Sequence, residues 1–213
     1  MTPPTMVYSG PDGHGDGVVG AIPATVDVSA LGGAVYSMPI KVPEGINGMH
    51  PDLSVVYNSQ SGNGLLGWGW NLGGISAITR VGSTMYHDSI VDGVDFDEFD
   101  RFALDGQRLV LVNNVAYGNN GAEYKTEVDG MNKIVSYKPN RNLNGPLNFK
   151  VWTPEGLVLE YGSTLNSRLQ YTDGDYSEVA LWLLRTVTDR NGNCITYEYN
   201  RDSHKISKNN LTN

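Results

Sequence analysis

Cysteine is nearly absent from this sequence. Cys194 is the only one, which excludes an intrachain disulfide and a thiolate zinc cluster. Its neighbours Asn193 and Ile195 put it in an expected strand, as a buried and inert thiol. Charge is also sparse, at 18% of residues, and 15 basic against 23 acidic side chains leave a net charge of −8. Clusters of Lys and Arg are missing, so neither a nucleic-acid surface nor attachment to anionic lipid is expected. No apolar run is long enough to span a bilayer. The opening MTPPTMVYSG has neither the basic nor the apolar region of a signal peptide. No segment carries a convincing amphipathic helical period, and no fixed spacing marks a repeat array.

Glycine, with 26 residues, and tyrosine, with 12, take the place of Lys and Glu, as suits strands joined by turns. A chain of 213 residues holds one large β domain or two small ones with a real core, and no boundary is obvious. Strand-like segments are expected near 34–42, 52–58, 75–81, 108–113, 122–128, 133–138, 147–153, 157–161, 181–188 and 194–200. Turn residues separate most of them: Pro43-Glu44-Gly45, Asp105-Gly106, Asn120-Gly121, Asp129-Gly130, Pro154-Glu155-Gly156 and Asn191-Gly192. Two hairpins are clear. In one, Phe149 and Val151 alternate with Lys150 and Trp152 before the Pro-Glu-Gly turn, and Leu157, Leu159 and Tyr161 return on one face. In the other, Thr186-Val187-Thr188 turns at Asp189–Gly192 and returns with Ile195, Tyr197 and Tyr199 on one face. Ser177–Leu184 could form a turn or two of helix, but its continuation into Arg185–Thr188 favours a strand. The expected class is all-β, with many short antiparallel strands and hairpins. Residues 1–20 are expected to be a flexible lead-in, 21–200 the β-rich domain, and 201–213 a frayed tail.

Leu53–Arg80 is the most distinctive stretch, with six glycines, two tryptophans and no acidic residue. It reads as strand, tight glycine loop, strand, with Trp68 and Trp70 on one face if that piece is extended.

Candidate chemistry is thin. Asp92–Asp100 holds five carboxylates in nine residues, which invites calcium. An EF-hand loop begun at Asp95 would need Gly at its sixth position and Glu at its twelfth; it has Asp100 and Gly106. A solvated acidic loop with a charge pair near Arg101 is the plainer reading. His14, between Asp12 and Asp16, could touch a metal, but a mobile histidine in a glycine-rich leader accounts for it. His50, His87 and His204 are scattered among turns. Gly62–Gly67 formally fits G-x-G-x-x-G but lacks the following helix and the βαβ context. No Gly-x-Ser-x-Gly elbow is present, and no nucleophile has a base at suitable spacing, so an enzyme is not expected. Catalytic, cofactor-binding and metal residues are all predicted to be none, with no cofactor. Trp68, Trp70, Trp152 and Tyr197 could instead form a sugar-stacking platform, against core packing as the default.

Several stretches together carry a family resemblance. GAVYSMPIKVPEGINGMHPDLSVVYNSQSGNGLLGWGW, Asp100–Leu109 (DRFALDGQRL), Tyr117–Glu127 (YGNNGAEYKTE) and Phe149–Gly162 resemble the amino-terminal region of SpvB-type insecticidal and virulence toxins, over about residues 20–200. The hairpin Asp189–Asn200 resembles a YD repeat, with Asn200 where Asp is usual. The resemblance implies an incomplete piece of a larger Rhs-type β shell. That shell encloses and delivers a carboxy-terminal toxic cargo, absent here; in one member the cargo is an ADP-ribosyltransferase. The Glu-x-Glu pair of such a transferase is missing from this chain. The implied partner is the remaining Rhs/YD-repeat shell. The implied location is outside the cell or at its surface, after cytoplasmic accumulation. The expectation is a non-catalytic structural module, with a secreted or cell-surface carbohydrate-binding module as the alternative. The repeats expected after Asn200 do not follow, so a fragment or a decayed remnant is part of the expectation.

Overall fold

The computed structural model describes residues 24–29, 31–139, 145–173 and 176–200. The expected lead-in, the tail, His14 and His204 lie outside the described residues. The chain divides into two compact units, residues 1–75 and 76–213.

The first unit holds β1 (Thr25–Val28), β2 (Ala34–Pro39), β3 (Ser54–Asn58), β4 (Asn63–Gly64), β5 (Gly67–Trp68) and β6 (Trp70–Gly73). They form one antiparallel sheet in the order β1-β2-β3-β6-β5-β4. Register aligns Tyr36, Tyr57 and Trp70 in one row, and Met38, Val55 and Leu72 in a second row two residues along. A spacing of two keeps both rows on the same face, while Ser37, Val56 and Asn71 take the other. Trp70 meets the Tyr57 ring at 5.0 Å and the Tyr36 ring at 6.4 Å. No large apolar side chain of this unit is fully buried among the described residues.

Trp68 and Trp70 do not share a face in an extended strand. Gly67 pairs with Trp70, so the chain reverses at Trp68-Gly69. Gly69 has φ 77°, and a Cβ there would lie 2.5 Å from the Tyr57 ring. The reversal resets the alternation: Trp70 packs on tyrosines, and Trp68 is 72% exposed.

The second unit holds β7 (Ala77–Val81), the single helical turn α1 (Met85–Asp88), β8 (Arg101–Leu104), β9 (Gln107–Leu111) and β10 (Glu123–Thr126). It continues with β11 (Lys133–Tyr137), β12 (Asn148–Trp152), β13 (Val158–Tyr161), β14 (Arg168–Asp173), β15 (Tyr176–Thr188) and β16 (Cys194–Thr196). Strands β7 to β13 pair in succession, and β15 pairs with both β7 and β13, closing a ring. β14 and β16 extend β15 outside the ring, leaving eight strands in the closed barrel. An eight-stranded interior is narrow enough to be filled by side chains alone.

Alternation fills it. Ile78 of β7, Phe102 and Leu104 of β8, Leu109 of β9, Tyr124 of β10, Ile134 of β11, Phe149 and Val151 of β12, Tyr161 of β13 and Trp182 and Leu184 of β15 are all buried in one cluster. Phe102 is the hub, within 5.4 Å of the Tyr117, Phe149 and Trp182 rings. Edge-on geometry at 71° to Phe149 and 86° to Trp182 suits the ring quadrupoles.

The hairpins follow their turn chemistry. Asp105 and Gly106 have φ 48° and 80°, the two positive values that a type I′ turn demands, and join Leu104 to Gln107. Asp105 also accepts from Ser76 Oγ at 2.6 Å and from the Ala77 amide at 2.8 Å, fixing the start of β7. Asp189 Oδ1 caps the Asn191 and Asn193 amides, both at 2.9 Å, in the β15–β16 turn. The Ser177–Leu184 run is strand, within β15. Ile195, Tyr197 and Tyr199 are half-buried and alternate with exposed residues, as the sequence predicts. Cys194 is exposed, contrary to expectation, because β16 is an outer strand whose odd face holds Ile195 inward.

Candidate functional site

Val81 pairs with Arg101, so the connection 82–100 leaves and returns at neighbouring points of the barrel. This connection carries the acidic run singled out in the sequence. Asp92, Asp95 and Asp97 each bring a carboxylate oxygen within 4.8 Å of the others. Asp100 stands apart from them: its carboxylate is buried and takes a 2.7 Å bond from Arg80 Nη1. It also accepts the Phe96 amide at 2.9 Å. The charge pair expected near Arg101 is made with a carboxylate outside the acidic run. Asp100 pairs with Arg80, and Arg101 pairs with Asp88 at 2.7 Å.

Arg80 follows Ile78 by two residues and so points into the barrel like it. Its guanidinium donates to Val179 O at 2.7 Å and sits 5.2 Å from the Phe96 ring and 5.7 Å from the Phe102 ring. Burial pushes the Arg80 pKa down, opposed by the Asp100 hydrogen bond and charge. Arg108 joins Arg101 on Asp88, making that carboxylate the second anchor of the connection. Desolvation works to raise the Asp88 pKa, but the Thr84 amide and the two arginines outweigh it and hold it low. His87 bridges Thr84 Oγ1 at 3.0 Å and Glu127 Oε1 at 3.1 Å. Ser83 closes the base of the connection, bridging to Asp92 and donating to Phe99 O. Arg80 and Arg108 are what the sequence reading missed, and only Arg80 left a signal in the sequence. The available signal was position: a charge on the inward parity of an apolar strand requires a buried partner.

A polar network ties the β9–β10 connection to the barrel strands. Tyr117 OH accepts the Phe102 amide at 2.9 Å and donates to Leu109 O at 3.1 Å. Tyr124 OH accepts the Gly118 amide at 2.8 Å and meets Ser136 Oγ at 3.2 Å. Desolvation raises the Tyr117 and Tyr124 pKa values, so both phenols stay protonated donors. These contacts hold the β9–β10 connection; none aligns a nucleophile with a base.

The other candidates separate. Trp68 and Trp70 belong to the first unit, Trp152 and Tyr197 to the second. Gly62–Gly67 lies in the β4–β5 hairpin, where Asn63 pairs with Trp68, so no helix follows to aim amides at a phosphate. His50 is exposed, in the irregular segment between β2 and β3. Among the described residues, no helix is long and apolar enough to cross a membrane.

Solved structures match this architecture. The crystal structure of TcdB2-TccC3 aligns at TM-score 0.67 with 22% identity, over 85% of this chain and 9% of that one. The Photorhabdus luminescens Tc holotoxin pore with the TccC3-D651A mutation aligns at 0.65 with 19% identity, over 88% of this chain and 9% of that one. The amino-terminal domain of effector protein SpvB from Salmonella typhimurium strain LT2 aligns at 0.53 with 22% identity, over 71% and 50% of the two chains. At these identities the likeness is one of fold, and this chain spans half or less of each match. No curated protein sequence matches it. Closed antiparallel barrel and short hairpins together define an all-β module, and its fold is the one shared with these three structures. Residues 28–213 match the family described as Salmonella virulence plasmid 65kDa B protein, and the chain belongs to this SpvB family.

Proposed function

We propose that this chain is a non-catalytic structural module of a bacterial toxin, forming part of the wall of a β shell that encloses and delivers a toxic cargo. One observation carries the reading: the fold recurs over 85% of this chain within a protein of which it covers only 9%. A module of that proportion serves a much larger assembly. On this reading the partner is the remaining Rhs/YD-repeat shell, on the same or a companion polypeptide, and the assembly acts outside the producing cell. Domain organisation follows: a lead-in at 1–20, a β-rich region at 21–200 that ends in a YD-like hairpin, and a tail. Cross-linking mass spectrometry of the native toxin, followed by electron microscopy, tests it. Cross-links from 24–200 to YD repeats and density for the barrel in a closed shell are the expected result. A chain that purifies alone from its native source, with no such cross-links, overturns it.

Carbohydrate binding keeps one observation in its favour, the 72% exposure of Trp68 at a hairpin tip. Glycan-array binding lost in Trp68→Ala would favour that reading. Absence of any glycan signal would end it.

A further inference from the structure

Seven steps among the described residues place Asp or Asn before Gly. Such a step can close a ring, because the glycine amide nitrogen meets no Cβ of its own in approaching the preceding side-chain carbonyl carbon. Six of the seven are engaged otherwise. The Gly48, Gly121 and Gly192 amides donate to the carbonyls of Gly45, Ser136 and Asp189, at 3.2, 2.9 and 3.1 Å. Asp105 gives its carboxylate to Ser76 and Ala77. Asp129 turns Oδ1 past Gly130 to the Met131 amide at 2.9 Å. Asn63-Gly64 is held in the β4–β5 ladder. At Asp92-Gly93 the glycine amide is instead aimed at the side chain before it, 3.0 Å from Asp92 Oδ1 and so one bond short of Cγ. Gly93 is exposed and faces open space, which leaves room for the ring and for water. Asp27-Val28 makes the same contact at 2.7 Å. There the attacking residue carries a stiff β-branched side chain and lies in a strand paired to β2.

We propose that Asp92 is a site of spontaneous isomerisation to isoaspartate, and that this modification releases the base of the 82–100 connection. Gly93 N bonds to Cγ of the Asp92 side chain in its acid form, and the Cγ–hydroxyl bond breaks. The amide proton and that hydroxyl leave as water, closing a succinimide. Water then adds to the main-chain carbonyl of Asp92, and the bond from that carbon to Gly93 N breaks. The chain now runs through the side chain, no atom has changed oxidation state, and solvent water is the sole reagent. The change falls where the two arms of the connection touch. The Asp92 amide donates to Ser83 O at 3.2 Å, and a Cβ on Gly82 would lie 2.3 Å from Asp92 O. Isomerisation lengthens the backbone there by one carbon and turns that packed carbonyl into a charged carboxylate, which the contact with Gly82 does not accommodate. The Asp88 and Asp100 anchors lie on either side, so the barrel strands keep their pairing. This inference is independent of the shell-building reading.

Ageing the full chain in buffer at body temperature, then mapping its peptides by mass spectrometry with electron-based fragmentation, tests this, since that fragmentation separates isoaspartate from aspartate. Isoaspartate should form at Asp92 about tenfold faster than at Asp105, Asp129 or Asp27. In urea, Asp92, Asp105 and Asp129 should react at similar rates, because the fold is what distinguishes them. Gly93→Ala is tolerated by the open space and by a φ outside the left-handed region, and it should slow the reaction at Asp92 without moving the unfolding midpoint. Hydrogen exchange of the aged chain should quicken over residues 82–99 and stay unchanged in the barrel strands. Equal rates at Asp92, Asp105 and Asp129 in the folded chain would overturn the assignment, as would folding that slows Asp92 as much as the other two. Isoaspartate at Asp92 with unchanged exchange over 82–99 would overturn the release.

Discussion

Single residues fix the loop more tightly than the loop's own sequence suggests. Arg80 and Asp100 have side chains only 2% and 1% exposed, so their pairing offsets much of the cost of burying both charges. Arg80→Met should destabilise the barrel unit by about 3–5 kcal/mol, because it strands a buried carboxylate. Arg80→Met with Asp100→Leu should recover much of that loss; urea unfolding of both variants checks it. Asp88 behaves differently with pH. Its folded pKa lies below the unfolded value of about 3.9, so its stabilisation is complete above that range and is lost as pH falls through the folded value. Asp88→Asn should therefore lower the midpoint at pH 7 and converge with the native protein under strong acid. Asp95 has the opposite sign: partial desolvation, then repulsion from Asp97, Asp92 and Asp100, raise its pKa. Asp95→Asn should raise the midpoint at pH 7, with the gain disappearing as pH falls below the usual carboxylate range. Equal effects of this substitution at pH 7 and pH 3 would refute that account. From sequence the acidic run read as five equivalent carboxylates. Which of them turns inward depends on Arg80, whose inward position is set by the pairing of β7 in the folded barrel.

Elements were legible where alternation and turn chemistry coincide. β12–β13 and β15–β16 are such cases, since their hairpin partners are adjacent in the chain. β8 and β14 were missed for different reasons. β8 is only four residues and follows directly on the acidic run, and β14 mixes Arg168, Gln170 and Asp173 with apolar residues. α1 is a single turn capped by Thr84 and has no room for a helical period. Trp68-Gly69 shows how one positive-φ residue defeats a face assignment based on spacing two. Gly69→Ala should destabilise the first unit by more than about 1 kcal/mol, since φ and the Tyr57 ring both oppose a Cβ. Faster amide exchange confined to 25–73 would register it. An unchanged exchange pattern would mean that the β5–β6 reversal is adaptable.

At the scale of the whole molecule, the units differ in what holds them. All of the large buried apolar side chains among the described residues lie between Ile78 and Leu184, in the second unit. The first unit is a sheet whose apolar rows are half-exposed. Its amides should exchange faster than those of the barrel strands, as native-state exchange by mass spectrometry would show. β1, with Val26 and Val28 each 67% exposed, is paired on one side only among the described residues. Such an edge invites pairing with other chains, so the chain expressed alone should self-associate as concentration rises. Analytical ultracentrifugation that finds a monomer at all concentrations would contradict this. Family membership was legible because the glycine- and tryptophan-rich stretch up to Trp70 is a local motif, read directly along the chain. The closure of the barrel was not, because β7 and β15 give no local sign that they pair.

That closure has a consequence for how the protein is made. Arg80 hydrogen-bonds to Val179, 99 residues further along the chain. A ribosome synthesising about 5–20 residues each second therefore exposes the early barrel strands for several seconds before the strand that seals them exists. During that interval the nascent chain is an open sheet with unpaired edges and uncovered aromatic side chains. Chaperone demand, and the yield of soluble product, should be set by translation speed between Ala77 and Thr188 more than by the final stability of the barrel.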